Sequence, residues 1–109
     1  IAMNQPAERM DFDAARAQAF AERLLKTLND GALCLMISIG HRTRLFDTLS
    51  RLPPATSAEI AAAAKLDERY VREWLGAMVT GGVVTVDPNT GRYRLPPGHA
   101  EVLIDREAS

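Results

Sequence analysis

The sequence predicts a winged helix-turn-helix, a mainly α-helical fold with a small β-hairpin as its wing. Two short helical segments joined by a tight turn lie between Thr56 and Gly82, and two strand-like runs around a turn follow them. The chain has 109 residues, of which 47% are apolar, so it is long enough for one domain with its own core.

The starts of both helices in the helix-turn-helix carry capping residues. Thr56 or Ser57 can cap the first helix, and Glu59 stands three residues after Thr56, as in a capping box. Asp67 can cap the second helix in the same way. The second helix has an apolar stripe with spacings of three and four residues, formed by Tyr70, Val71, Trp74, Leu75, Met78 and Val79. This stripe must pack against a core, and Gly81-Gly82 ends the helix.

The residues after the glycine pair predict the hairpin wing. Asp87-Pro88-Asn89-Thr90-Gly91 is a turn signal between two strand-like runs. Alternation along a strand places Arg92 and Arg94 on one face, and Tyr93 and Leu95 on the other.

The N-terminal part predicts a lead-in followed by a helix. The stretch from Asn4 to Asp11 is polar and contains proline, and we expect residues 1–11 to be a disordered lead-in. A helix should start at Asp11 or Asp13 and run to about Leu28, with a narrow apolar edge of Phe20, Leu24 and Leu28. Asn29-Asp30-Gly31 predicts a break after it.

The next segment, Ala32 to Ile39, is apolar nearly all the way round. A helix of this kind needs cover on more than one side, which favours contact with a partner chain or a neighbouring domain over a wholly internal core. The expected dimer or pocket interface residues are Leu33, Met36, Ile37 and Ile39. Cys34 lies in the same run, and we expect a buried thiol.

A short helical turn at Leu45–Leu49 and an extended connector at Leu52–Ala55 lead into the helix-turn-helix. A last helix over His99–Ile104 has an apolar edge with little left to pack against, which indicates that the natural protein continues. We therefore expect a winged-helix domain over residues 12–104. Residues 105–109 would be a tail, or the start of a linker to a catalytic domain that lies outside this sequence.

The alternative function for this fold is a small DNA-binding transcriptional regulator. The candidate DNA contacts are Arg69, Arg72, Arg92 and Arg94. Arg69 and Arg72 each have an acidic residue four positions away on the same helix, and the net charge of the chain is −1. Binding to phosphates draws on a surplus of Lys and Arg, so a nucleic acid is the weaker candidate partner.

Catalytic patterns are not found in the sequence. His41 and His99 are far apart, and no Cys/His cluster has the spacing of metal ligands. No glycine-rich phosphate loop opens a helix. We therefore predict no catalytic, cofactor-binding or metal-binding residue in this chain. One cysteine, with neither a signal peptide nor a membrane span, favours the cytoplasm.

Residues Phe20 to Leu103 resemble the N-terminal winged-helix domain of bacterial, largely actinobacterial, class I S-adenosylmethionine-dependent methyltransferases. The most specific matching stretches are DGALCLMISIGHRT, LFDTL, PPATSAEIA, ERYVREWLGAMVTGG and YRLPP. Arg44 and Lys65 depart from the pattern, which has glycine at these positions. If their backbones are left-handed, each side chain costs roughly 1 kcal/mol.

The resemblance implies a domain that builds a homodimer interface and helps cover the substrate pocket, with Met36 and Ile39 as pocket or interface residues. It also implies that S-adenosylmethionine binds to a following C-terminal Rossmann-like catalytic domain. This chain alone would then not be an enzyme, although its parent protein would be a methyltransferase.

Overall fold

The computed structural model describes residues 6–104, with side chains from residue 13 onward. The helices and strands are α1 (Pro6–Arg42), α2 (Leu45–Arg51), α3 (Ser57–Ala64), α4 (Glu68–Thr80), β1 (Thr85–Asp87), β2 (Arg92–Arg94) and α5 (Pro97–Leu103). This order of helices with a two-stranded antiparallel hairpin confirms the winged helix-turn-helix fold. Residues 1–5 of the predicted lead-in and the predicted tail at residues 105–109 lie outside the described residues.

Helix α1 is continuous, so the predicted break at Asn29-Asp30-Gly31 is wrong. A glycine inside a helix costs only about 1 kcal/mol relative to alanine, and the residues on both sides are good helix formers. Asp30 also accepts a hydrogen bond of 2.6 Å from Lys26, one turn earlier. The chain divides into two units within this helix, the first ending at Ala32 and the second beginning at Leu33.

The second unit has one hydrophobic core, to which every helix of the helix-turn-helix contributes. The largest fully buried side chains are Phe46, Ile60, Val71, Trp74, Leu75, Met78 and Val84. Four residues of the predicted α4 stripe are buried, but Tyr70 is 72% exposed, so its predicted inward position is wrong. Tyr70 lies about a quarter turn from the centre of the stripe, at the edge where the helix leaves the core.

Gly40 allows the end of α1 to approach α2 and α4. A Cβ atom at this position would lie 2.5 Å from Cε2 of Phe46 and 2.6 Å from Cζ2 of Trp74. The two rings meet edge to face with centroids 5.2 Å apart, and the Trp74 indole N–H donates a hydrogen bond of 2.9 Å to the Met36 carbonyl. Three helices are therefore joined at a residue without a side chain.

The predicted caps of α3 and α4 are confirmed. Thr56 and Glu59 form the capping box, and the Asp67 side chain accepts a 2.9 Å hydrogen bond from the Arg69 amide. Arg44 and Lys65 both have a φ of 60°, so both are left-handed, at the two positions where the resemblance implies glycine.

The wing pairs Val86 with Tyr93, and its turn is closed by Gly91, which has a φ of 68°. The connector before α3 joins this hairpin. The Ala55 amide donates to the Tyr93 carbonyl at 3.1 Å, and the Tyr93 amide donates to the Ala55 carbonyl at 2.7 Å. The extended conformation expected for the connector thus places Ala55 beside β2.

Helix α5 packs more closely than the sequence predicts. Ala100, Leu103 and Ile104 are partly buried against the core, so the expectation that they find little to pack against is wrong. A ring nitrogen of His99, Nδ1, lies 2.8 Å from the Val83 carbonyl oxygen, at the start of the segment that leads into the wing.

Candidate interaction surfaces

The first unit exposes a row of large apolar side chains on α1. Every side chain from Asp13 to Ala32 is exposed, and Phe20, Leu24, Leu25 and Leu28 are exposed to between 44 and 60%. Phe20, Leu24 and Leu28 follow one another at intervals of four residues, so they lie on one side of the helix. Single exposed hydrophobic residues are common, but a continuous row is typical of an interaction surface.

Polar pairs occupy another side of the same helix. Gln18 donates a hydrogen bond of 3.2 Å to Glu22, and Lys26 forms the 2.6 Å ion pair with Asp30. The hydrogen bond and negative charge of Asp30 raise the pKa of Lys26 above its ordinary value. The polar pairs and the apolar row give this part of α1 an amphipathic character.

The four predicted interface residues lie in the second unit and pack against its own core. Leu33, Met36, Ile37 and Ile39 are all half-buried there. The methyl groups of Leu33 lie against Gly81, where an added Cβ would come within 2.6 Å of them. The role of these four residues in contacts with another chain or with a substrate pocket stays a prediction.

Two neighbouring residues on α1 point outward instead. Leu35 is 67% exposed, and Cys34 is exposed, so the expected burial of the Cys34 thiol is wrong. The sequence could not show this orientation, because the segment from Ala32 to Ile39 carries apolar side chains on nearly all sides of the helix. Leu35 lies seven residues after Leu28, and this spacing is the one signal that could have singled it out.

Three of the four candidate DNA-binding arginines contact acidic side chains. Arg69 lies 3.5 Å from Glu73, Arg72 lies 3.6 Å from Glu68, and Arg92 lies 2.9 Å from Glu59. Arg94 is exposed on the wing and is the one among the four with no ion pair in the described part of the chain. A DNA-contacting role for these arginines stays a prediction.

Arg92 has a structural role that the sequence did not indicate. Its guanidinium donates hydrogen bonds to the Pro54 carbonyl at 3.2 Å and to the Glu59 carboxylate at 2.9 Å. Glu59 also accepts a 2.9 Å hydrogen bond from the Thr56 amide. The bonds from Thr56 and the positive charge of Arg92 lower the pKa of Glu59. The wing is therefore tied to the start of α3.

The described residues are not arranged as a metal site or as a phosphate-binding turn. Between residues 6 and 104, no group of three or more His, Cys, Asp or Glu side chains could hold a metal ion. Gly81 and Gly82 follow α4 and precede β1, so they do not fit the strand-to-helix turn that binds phosphate-containing or nucleoside cofactors. No helix in this part of the chain is long and apolar enough to cross a membrane.

The fold is similar to part of several solved methyltransferase structures. PigF with SAH is 24% identical with a TM-score of 0.67, and the match covers 78% of this chain and 24% of that protein. The S-adenosylmethionine-dependent methyltransferase SibL in its apo form is 25% identical with a TM-score of 0.63, covering 73% and 23%. Human N-acetylserotonin methyltransferase in complex with SAM is 23% identical with a TM-score of 0.60, covering 71% and 24%.

The chain thus spans about a quarter of the length of these structures. No curated protein matches the sequence. Residues 31–105 match the family described as the Rv2258c-like winged HTH domain. This match extends over more than half of the sequence, from the last third of α1 past the end of α5. The chain therefore belongs to the Rv2258c-like winged helix-turn-helix domain family.

Proposed function

We propose that this chain is the N-terminal domain of an S-adenosylmethionine-dependent methyltransferase, where it forms a homodimer, helps cover the substrate pocket and is not catalytic by itself. The observation that carries the proposal is the row of exposed apolar side chains on α1, Phe20, Leu24 and Leu28. The similarity of the fold to about a quarter of each of several methyltransferase structures supports it.

A two-fold dimer is the arrangement that suits this row. In such an interface the same surface of both copies is used, so each residue of the row contributes two buried side chains, one from each copy. Burying a leucine or phenylalanine side chain contributes roughly 1.5–3 kcal/mol, and these side chains are already partly covered, so each contributes less. Together the two rows offset a substantial part of the 4–15 kcal/mol that association costs.

The substrate-covering role belongs to the half-buried end of α1. Met36 and Ile39 are the pocket or interface residues of this proposal, and both retain some exposed surface while packing against the core. S-adenosylmethionine would bind to a Rossmann-like domain that follows in the parent protein, since the residues described here do not fit such a site.

The gene sequence that follows the codon for Ser109 tests the methyltransferase part of the proposal. We expect it to encode a strand followed by a glycine-rich turn and a helix, which is the start of a Rossmann-like cofactor domain. A stop codon, or an unrelated sequence, would contradict the assignment to a methyltransferase while leaving the dimer proposal open to its own test.

Sedimentation equilibrium tests the dimer part. We expect the chain to sediment as a dimer and Leu24→Asp to sediment as a monomer, because a buried carboxylate without a partner is strongly unfavourable. Ala19→Asp is the matched control, since it places the same carboxylate at an exposed position on another side of the same helix. A monomeric wild-type chain at high micromolar concentration, or equal effects of both variants, would refute the interface.

A further inference from the structure

An apolar pocket of about 240 Å³ opens beside the start of α4. It lies wholly within the second unit, where the end of α1 meets the turn between α3 and α4. Six of the side chains in its wall are Ile39, Thr43, Leu66, Asp67, Tyr70 and Trp74. The floor is formed by the buried Trp74, and Tyr70 stands at the rim with 72% of its surface exposed.

Two hydrogen-bond donors in the wall, the Thr43 hydroxyl and the Trp74 indole N–H, already have partners. The Thr43 hydroxyl donates to the Ile39 carbonyl at 2.7 Å, and the Trp74 indole N–H donates to the Met36 carbonyl at 2.9 Å. A polar ligand entering the pocket would lose hydrogen bonds to water without gaining replacements from these donors. This arrangement favours a ligand whose buried part is apolar.

The surface of the wall points to an uncharged ligand. Only apolar surface faces the cavity, and the Asp67 carboxylate is turned to the start of α4, where it accepts the Arg69 amide at 2.9 Å. An anion or a cation would have to leave water without gaining a partner of opposite charge in the pocket, which is unfavourable.

The size of the pocket and the nature of its rim set the size of the ligand. A protein cavity of roughly 150 Å³ can hold a benzene molecule, so 240 Å³ has room for a somewhat larger ring system. Leu66 and Tyr70 leave large apolar surfaces exposed beside the opening, and a flat ligand would cover part of both.

We infer that this pocket is a binding site for one small, uncharged compound of one or two fused rings. The site depends neither on a dimer nor on a catalytic domain, because all of its wall lies within the described part of the second unit. The pocket can therefore be tested on the winged-helix domain alone, although Ile39 in its wall also belongs to the surface proposed to cover the substrate pocket.

Methyl-detected NMR of the 109-residue chain, titrated with indole, tests the inference. We expect saturable shifts of the methyl signals of Ile39, Leu66 and Val71, the last of which also lines the pocket. The dissociation constant should be on the order of 0.1–1 mM for a ligand of this size. Indole-3-acetate and tryptamine, which add a negative and a positive charge to the same ring, should each bind about tenfold more weakly. Tighter binding of either charged compound would overturn the inference of an uncharged ligand.

Thr43→Phe and Thr48→Phe form a matched pair of variants. Both threonines are half-buried, and both donate their hydroxyl groups to the carbonyl four residues earlier, but only Thr43 lies in the pocket wall. Thr43→Phe should fill the pocket and weaken indole binding at least about tenfold, whereas Thr48→Phe should leave it within about twofold.

A further variant, Tyr70→Ala, tests the pocket even if Thr43→Phe does not fold. Tyr70→Ala removes an exposed ring from the rim, so it should weaken indole binding severalfold while the methyl spectrum stays well dispersed. The inference is overturned if indole causes no saturable shifts. It is equally overturned if the folded variants at Thr43 and Tyr70 bind indole as tightly as the wild-type chain does.

Discussion

Gly40 shows how one missing side chain positions three helices. Its Cα faces the rings of Phe46 and Trp74 so closely that a methyl group would overlap both. Neither ring can move freely, because Phe46 and Trp74 are each only 2% exposed and Trp74 is held by its hydrogen bond to Met36. The junction of α1, α2 and α4 therefore requires glycine for space rather than for an unusual backbone angle.

Gly40→Ala should lower the free energy of unfolding by about 1–3 kcal/mol, the usual effect of overfilling a packed core. Urea unfolding followed by Trp74 fluorescence measures it. Gly76→Ala is the control, because Gly76 lies inside α4 with no heavy atom within 4 Å of an added Cβ. That change should raise stability by about 0.5–1 kcal/mol through helix propensity alone. A stabilising Gly40→Ala would show that the junction is looser than described.

Lys65 illustrates the opposite case, a side chain at a position that suits glycine. With a φ of 60° it adopts a left-handed conformation that costs roughly 1 kcal/mol for a residue with a Cβ atom. Lys65→Gly should therefore raise the free energy of unfolding and with it the urea midpoint. The gain in free energy should be smaller than this cost, because glycine also gains freedom in the unfolded chain. Lys65→Ala, which keeps the Cβ, should change it little. Equal midpoints for the two variants would contradict the strain argument.

At the scale of the elements, the start of α3 and the wing behave as one assembly. The capping box of Thr56 and Glu59 satisfies the backbone at the start of α3. Arg92, which lies on β2, donates a hydrogen bond to the same Glu59 carboxylate and so connects the cap to the wing. The Ala55–Tyr93 backbone pair lies beside this ion pair and joins the same two parts of the chain. The capping box could be predicted because Thr56 and Glu59 are only three residues apart. The contact of Arg92 with Glu59 could not, because the two are 33 residues apart and meet only through the tertiary structure.

The lowered pKa of Glu59 predicts a pH dependence. Its carboxylate stabilises the fold fully above the ordinary pKa of 4.5, and this contribution is lost as pH falls below that value through the lowered pKa of the folded state. Urea unfolding at several pH values below 5 should therefore show a smaller decline for Glu59→Gln than for the wild type. Glu73→Gln, which alters another exposed ion pair, is the control. Identical pH profiles for the wild type and Glu59→Gln would contradict the prediction.

Helix α1 marks the limit of what could be read from the sequence at this scale. The periodic stripe of α4 and the caps of α3 and α4 were predictable because neighbouring residues determine them. The continuity of α1 through Gly31 was not predictable. Whether one glycine interrupts a helix depends on how stable the helix is on both sides of it. Nor could the sequence show that Leu33 packs inward while Leu35 is exposed, because both lie in an apolar run.

For the whole molecule, charge balance argues against DNA as the main partner. The net charge is −1, and the arginines on the outer face of α4 each lie close to a glutamate. Exposed pairs of this kind are weak, so they do not prevent contact with phosphate, but they reduce the positive field that nonspecific binding needs.

Titration of a fluorescently labelled random-sequence duplex at low salt should therefore show no binding at micromolar protein concentrations. Binding of the duplex through α4 would be recognised by its salt dependence and by its response to one substitution. Binding that falls steeply with salt and is lost in Arg69→Ala, but not in the control Arg23→Ala on α1, would favour the regulator function over the one proposed here.

In the proposed dimer, the exposed apolar row of α1 packs against the same row of a second copy. Isotope-filtered NMR on a mixture of labelled and unlabelled chains measures this contact directly. We expect nuclear Overhauser effects between the Phe20 ring of one copy and the methyl groups of the partner's Leu24 or the partner's Leu28. A mixture that gives no intermolecular signals from these side chains, or gives them only from α4 or the wing, would contradict it.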